Sequence, residues 1–170
     1  MTIEDGIVEL AKIKGNPRKF YEYVKISDPK KGTIDFERWP HLMELIDSFE
    51  KYRLHLGLKA RQIGFSWLIA AYAVKVALTQ PNARILLISM GEREAMQLLR
   101  KCKFIYEHLP DWLKFSLSYD SATVLGFKVM DSTIMALPTT QSAGRGEACT
   151  LVITDEWDYH EFAENNFAAL

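Results

Sequence analysis

Cysteine is scarce. Cys102 and Cys149 are the two in 170 residues, far apart, with no CxxC pair and no Cys/His spacing. That excludes a disulfide-stapled scaffold and a zinc knuckle, and fits reduced thiols in a cytosolic protein. An excess of either charge is also lacking: 21 Lys and Arg stand against 22 Asp and Glu, a formal net charge of −1. No global field draws the chain to nucleic acid, so any DNA contact must come from a local patch. Long hydrophobic runs are missing as well. The longest, Trp67 to Leu78, is too short to cross a bilayer and contains Lys75, so it reads as a core helix. The first residues, Met1-Thr2-Ile3-Glu4-Asp5, are acidic and do not resemble a secretory leader. There is no internal repeat and no low-complexity tract. The standard phosphate-loop motif G-x-x-x-x-G-K-[ST] occurs nowhere.

What remains is ordinary globular composition, 48% hydrophobic and 25% charged, at the length of one domain. The chain turns on residues 53–67. Leu54, Leu56 and Leu58 alternate with His55 and Gly57, the periodicity of a strand. From Trp67 the pattern becomes that of a buried helix. The basic loop between, Lys59-Ala60-Arg61-Gln62-Ile63-Gly64-Phe65-Ser66, has the layout of a phosphate cradle. In such a loop, backbone N–H groups and a helix N-terminus face an anion, and a hydroxyl at the helix start reaches Mg²⁺. Phe65 stands where the usual lysine would be, and Lys59 and Arg61 bring positive charge from the front of the loop instead. A basic turn between a strand and an apolar helix is the blander reading.

The partner of this loop lies far down the chain. Leu151-Val152-Ile153-Thr154-Asp155-Glu156 is an apolar strand ending in two carboxylates. In nucleotide hydrolases a strand of this kind sits beside the loop's strand, its first acid on the Mg²⁺ shell and its second on the attacking water. Capping of a following helix is the alternative use of the two acids. The two features occur in the right order and on the right element types, which favours nucleotide hydrolysis.

The remaining pattern predicts helices over 3–14 and 17–25, a turn at 27–31, and a helix over 41–52 with Leu42, Leu45, Ile46 and Phe49 buried. Strand 84–89 and helix 93–108 follow, then strands at 115–119, 127–130 and 133–137, with a turn at Asp131-Ser132. The βαβ rhythm implies a parallel sheet with helices on both faces and ligands at the C-terminal strand ends. Residues 138–147 form a polar loop in which Arg145 lies between Gly144 and Gly146. Asp155, Asp158 and His160 could form a metal site on residue type alone, but neighbouring residues on a turn rarely converge without further ligands, and the pattern favours no such site.

At the loop and the Asp-Glu strand the chain resembles the N-terminal ATPase part of the large terminase subunit, the DNA-packaging motor of tailed bacteriophages. Lys59 to Ser66 fits that family's deviant K-x-R-Q-x-G-x-S loop throughout, and Asp155-Glu156 matches its second motif. The resemblance spans roughly 36 to 160. It implies an α/β fold of the P-loop NTPase, additional-strand type, with a mostly parallel central sheet flanked by helices. A short helical segment, 1–35, would precede a core over 36–170 that is a truncated part of a longer subunit. It implies that residues 59–66 bind ATP, with Lys59 or Arg61 as the main phosphate cation, and that Ser66 and Asp155 hold Mg²⁺. Glu156 would be the catalytic carboxylate, and Arg145 a finger reaching a neighbouring subunit's ATP. His41, after Arg38-Trp39-Pro40, stands where the family carries an adenine-contacting glutamine. The implied activity is ATP hydrolysis that drives viral double-stranded DNA into a procapsid, in the cytoplasm of the infected host. Portal, small terminase subunit and further copies in a ring are the implied partners, and no membrane is. A superfamily 2 helicase-like motor, and a non-catalytic assembly module with a degenerate nucleotide site, are the rival readings.

Overall fold

The computed structural model describes residues 3–58, 63–138 and 148–156. Helix α1, Ile3–Gly15, ends with Lys12 and Lys14 in its last turn, where cations suit the dipole. The side chain of Asn16 then accepts the N–H of Arg18 at 3.1 Å and opens a 3₁₀ turn, Pro17–Glu22, with proline in its first position. The turn buries Phe20 and Tyr21 in the core. It is shorter than the helix expected over 17–25, because a hairpin begins at Lys25. Strands β1, Lys25–Asp28, and β2, Gly32–Asp35, pair antiparallel where the sequence suggested only a turn. The Asp28 carboxylate accepts the N–H groups of Lys30 and Lys31, both at 2.8 Å, and Gly32 supplies φ +74°.

Helix α2, Pro40–Lys51, and helix α3, Phe65–Thr79, come next. α2 buries Leu42, Met43 and Ile46 on one stripe. α3 is buried on nearly every side from Leu68 to Leu78, including the side chain of Lys75. Burying that charge is tolerated because the Lys75 ammonium pairs with the Glu50 carboxylate of α2. The Tyr72 hydroxyl donates to the Phe49 carbonyl at 3.3 Å, a second tie between the same two helices.

The fold is α/β, with a five-stranded mixed sheet flanked by helices. Strand β3, Arg84–Ser89, is followed by helix α4, Glu92–Glu107. Strands β4, Leu117–Asp120, β5, Val124–Phe127, β6, Ser132–Pro138, and β7, Leu151–Thr154, complete it. The order is β4-β5-β6-β3-β7. β3 runs parallel to β6 and β7, whereas β4–β5 and β5–β6 are antiparallel. The sheet is therefore mixed and not mostly parallel, because 117–138 folds as a meander with tight turns. Within it β5 falls at 124–127 and not at 127–130, since 128–131 is the turn, with Asp131 at φ +46°.

Register divides the sheet residues between two faces. Ile85 and Leu87 of β3, Ile134 and Ala136 of β6, and Ile153 of β7 lie on the face packed by α3 and α4. Leu86 and Ile88 lie on the other face with Met135, Leu137 and Val152. The predicted helices on both faces are seen, among the described residues, on one.

The strand expected over 53–58 is not formed. Residues 54–58 are not paired in either sheet, and Leu54, Leu56 and Leu58 are 73%, 89% and 96% exposed. His55 is held instead at the end of α2: its Nε2 lies 2.8 Å from the Ser48 carbonyl, and its ring meets Phe49 edge-on at 5.0 Å. Local contact with α2 has won over sheet pairing.

Candidate functional site

Gly64 fixes where α3 begins. Its φ of +77° and ψ of 0° put it in the left-handed region, which glycine enters without a Cβ penalty. Its carbonyl accepts the N–H groups of Trp67 and Leu68, both at 3.1 Å, starting the helix. A Cβ on Gly64 would lie 3.4 Å from Leu42 Cδ1, so the first turn of α2 packs against this corner. Sequence reasoning took Gly64 for the cradle and Leu42 for the core. Their contact had no sequence signal.

The first turn of α3 then presents Ser66 to the end of β7. The Ser66 hydroxyl donates to Asp155 Oδ2 at 3.5 Å, a long hydrogen bond that joins residues 89 apart in the chain. Asp155 is held by the sheet itself. Its N–H donates to the Ile88 carbonyl at 3.0 Å, continuing the contact with β3 just beyond β7. Its Oδ1 accepts the N–H of Glu156 at 3.1 Å. Glu156 turns outward with φ +56° and is exposed, while Asp155 is half-buried. One carboxylate is thus fixed against the helix start, and the next projects to solvent at the same C-terminal sheet edge. Such edges are where open α/β sheets bind ligands.

Of the other residues named from sequence, Ile63, Gly64 and Phe65 are half-buried at this helix start. Phe65 lies close to the chain at Gly57, where a Cβ would meet its ring at 3.9 Å. His41 is exposed in the first turn of α2, its ring 5.5 Å from that of Trp39. α2 therefore reaches the site through Leu42, and the imidazole of His41 packs with Trp39. Lys59, Ala60, Arg61 and Gln62, and Arg145, lie outside the described residues, as do Asp158 and His160. Among the described residues no group of three His, Cys, Asp or Glu side chains gathers to hold a metal. Ser66 and Asp155 together are two oxygen donors, which suits a hard cation completed by water and phosphate oxygens and not a closed protein cage.

A separate groove of about 420 Å³ lies near the chain's start, lined by Asn16, Arg18, Lys19, Glu22, Arg38 and Met43. Its cations are matched: Arg18 pairs with Asp47, and Lys19 and Arg38 both pair with Glu22. The Arg18 guanidinium holds the Asp47 carboxyl below its ordinary range. No helix among the described residues is long and apolar enough to cross a membrane. No protein-family model matches the chain, and no curated protein is significantly similar to it.

Proposed function

We propose that this chain is the ATP-hydrolysing part of a viral DNA-packaging motor, a P-loop NTPase of the additional-strand type. The observation that carries the reading is the 3.5 Å approach of Ser66, on the first turn of α3, to Asp155, just past the end of β7. A helix-start hydroxyl and a strand-end carboxylate at one sheet edge are the pair that a Mg²⁺-nucleotide site requires. Ser66 and Asp155 hold Mg²⁺, directly or through water. Backbone N–H groups at the start of α3 face the phosphates, and Lys59 or Arg61 supplies the neighbouring positive charge. Glu156, next in sequence and exposed, orients the attacking water and takes its proton. Arg145 completes the charge stabilisation from a neighbouring copy, and His41 serves the base. Translocation of double-stranded DNA through a portal into a procapsid, with a small terminase subunit as partner, rests on the resemblance of residues 59–66 and 151–156.

The test is phosphate release from ATP with Mg²⁺, with and without double-stranded DNA. Glu156→Gln is expected to bind nucleotide and lose at least about 100-fold in turnover, the loss of a positioned general base. Ser66→Ala and Asp155→Asn are expected to lose the Mg²⁺-dependent part of nucleotide binding. Turnover by Glu156→Gln equal to the parent refutes the assigned base. Phe65 at the usual lysine position favours one second reading, an assembly module without turnover. Absence of nucleotide binding by a folded chain, together with retained binding to procapsid or small subunit, would establish it.

A further inference from the structure

We propose that the outer face of α4 holds duplex DNA, contacting the phosphate backbone through Arg93, Arg100 and Lys101. This rests on the reading of the chain as a packaging ATPase and adds to it the surface that touches the DNA. Three observations converge on that face. The first is helical spacing. α4 buries Ala95, Leu98, Leu99, Cys102 and Ile105 in the core. Arg93, Gln97, Arg100, Lys101, Phe104 and His108 recur at three- and four-residue intervals on the opposite side. They form one strip about 22 Å long, from which Arg93, Gln97 and Arg100 project exposed. The second is charge. Arg18, Arg38 and Arg84 each pair with an acid, and so does Lys103 on the flank of α4. Arg93 and Arg100 form no ion pair among the described residues. The Glu94 carboxylate folds back on Gly91 at the helix start, where a Cβ would meet it at 2.7 Å, and Glu107 borders the far end. A solvated helix face mixes charges of both signs, whereas this strip carries cations alone. In a chain of net charge −1, such a local excess of cations is the footprint of an anionic polymer.

The third is the state of the rings. Trp67, Phe104 and His108 are half-buried and engage one another. Phe104 stacks on His108 at 4.1 Å and meets Trp67 edge-on at 5.6 Å, while Lys101 lies over the Trp67 ring at 5.7 Å. These contacts fix the strip and leave the rings turned to each other. Unpaired bases need open rings to stack on, whereas a duplex hides its base faces and presents phosphates. The face therefore suits the backbone of a duplex, read without regard to sequence. Arg93 and Arg100 are about 10 Å apart along the helix, three base steps at about 3.4 Å each. The strip also begins beside the nucleotide site. α4 leaves the sheet after the C-terminal end of β3, where the Asp155 N–H meets the Ile88 carbonyl, and Trp67 follows Ser66 on α3.

Fluorescence anisotropy of a labelled mixed-sequence duplex, titrated with the whole chain at low salt, decides it. The parent is expected to bind, with log K falling against log salt at a slope of about −3, the counter-ion release of three cations. Arg93→Ala with Arg100→Ala is expected to weaken binding at least about tenfold and to reduce that slope by about two. Its Tm should match the parent, because both side chains are exposed and form no ion pair among the described residues. Lys14→Ala with Lys128→Ala removes the same charge from exposed positions off α4 and is expected to stay within about twofold of the parent. Equal losses in the two double variants would overturn the proposal, and so would a parent that binds no duplex or binds a single strand more tightly. Polyglutamate bound as tightly as the duplex would also overturn it, and would assign the face to an acidic protein. Titration of the same proteins with ATP and Mg²⁺ keeps the two readings apart. ATP bound without DNA sinks the α4 face alone, whereas DNA bound through Arg93 and Arg100 without ATP supports the face and sinks the hydrolase reading.

Discussion

Replacing Gly64 with alanine tests the corner on which the site stands. Its φ of +77° is in the left-handed region, where an L-residue with a Cβ costs about 1–2 kcal/mol. The new Cβ would stand 3.4 Å from Leu42 Cδ1, ordinary contact at its near limit, so sterics add little. For a domain of this size about 1–2 kcal/mol lowers Tm by roughly 2–8 °C. Two other glycines separate the causes. Gly32 has φ +74° with nothing within 4 Å of a Cβ, so Gly32→Ala carries backbone strain alone. Gly15 has neither a positive φ nor a neighbour within 4 Å, so Gly15→Ala is expected to be neutral or stabilising by up to about 1 kcal/mol. Gly64→Asn, which tolerates the left-handed region, is expected to lose less than Gly64→Ala. Thermal unfolding of the four variants is the assay. A Gly64→Ala protein that melts with the parent, while Gly32→Ala falls, would refute the left-handed start of α3.

Further outcomes follow from the core and the surface. Glu50→Gln leaves the buried Lys75 without its counter-charge and is expected to cost up to about 3–5 kcal/mol, whereas Lys75→Met leaves only the part-exposed Glu50 and costs less, as read by denaturant unfolding. Cys102 is fully buried, its thiol pushed up to about 12 by desolvation, so it stays unreactive to a thiol reagent at neutral pH while half-buried Cys149 reacts. Three carboxyls are held below their ordinary values: Asp28 by the N–H groups of Lys31 and Lys30, Asp47 by Arg18, and Glu9 by Lys12 and Tyr23. A carboxyl lowered on folding stabilises above its unfolded pKa, and that contribution is lost as pH falls through the folded value. Tm is thus expected to decline as pH drops from about 5 toward 2, and Asp47→Asn to flatten part of that decline.

Helices α2, α3 and α4 and strands β3 and β7 were legible because each carries its own period or an unbroken apolar run. Ile85 to Ile88 is such a run, buried in β3 between β6 and β7. The meander was legible as strands but not in register, since Val124 to Phe127 and the expected 127–130 are equally short and only the turn ending at Asp131 decides which four residues pair. The β1–β2 hairpin was hidden because its signal is the Asp28 side chain on two backbone N–H groups, a local bond and not a hydrophobic pattern. Residues 54–58 have clear strand period, yet period alone does not supply a partner, and His55 found one on α2. At the site, residue types at Ser66, Asp155 and Glu156 were readable from sequence. Their meeting at one sheet edge was expected from the parallel-sheet rule and the resemblance, whereas the direct Ser66–Asp155 hydrogen bond was not, because it depends on how α3 crosses the sheet.

The most direct measurement is calorimetric titration of the chain with ATP, with and without Mg²⁺, beside Ser66→Ala and Asp155→Asn. The account predicts binding by the parent that strengthens at least about tenfold with Mg²⁺, and loss of that gain in both variants, since each removes one oxygen donor from the cation. Equal Mg²⁺ dependence in the parent and in Asp155→Asn, with both proteins folded, would contradict it.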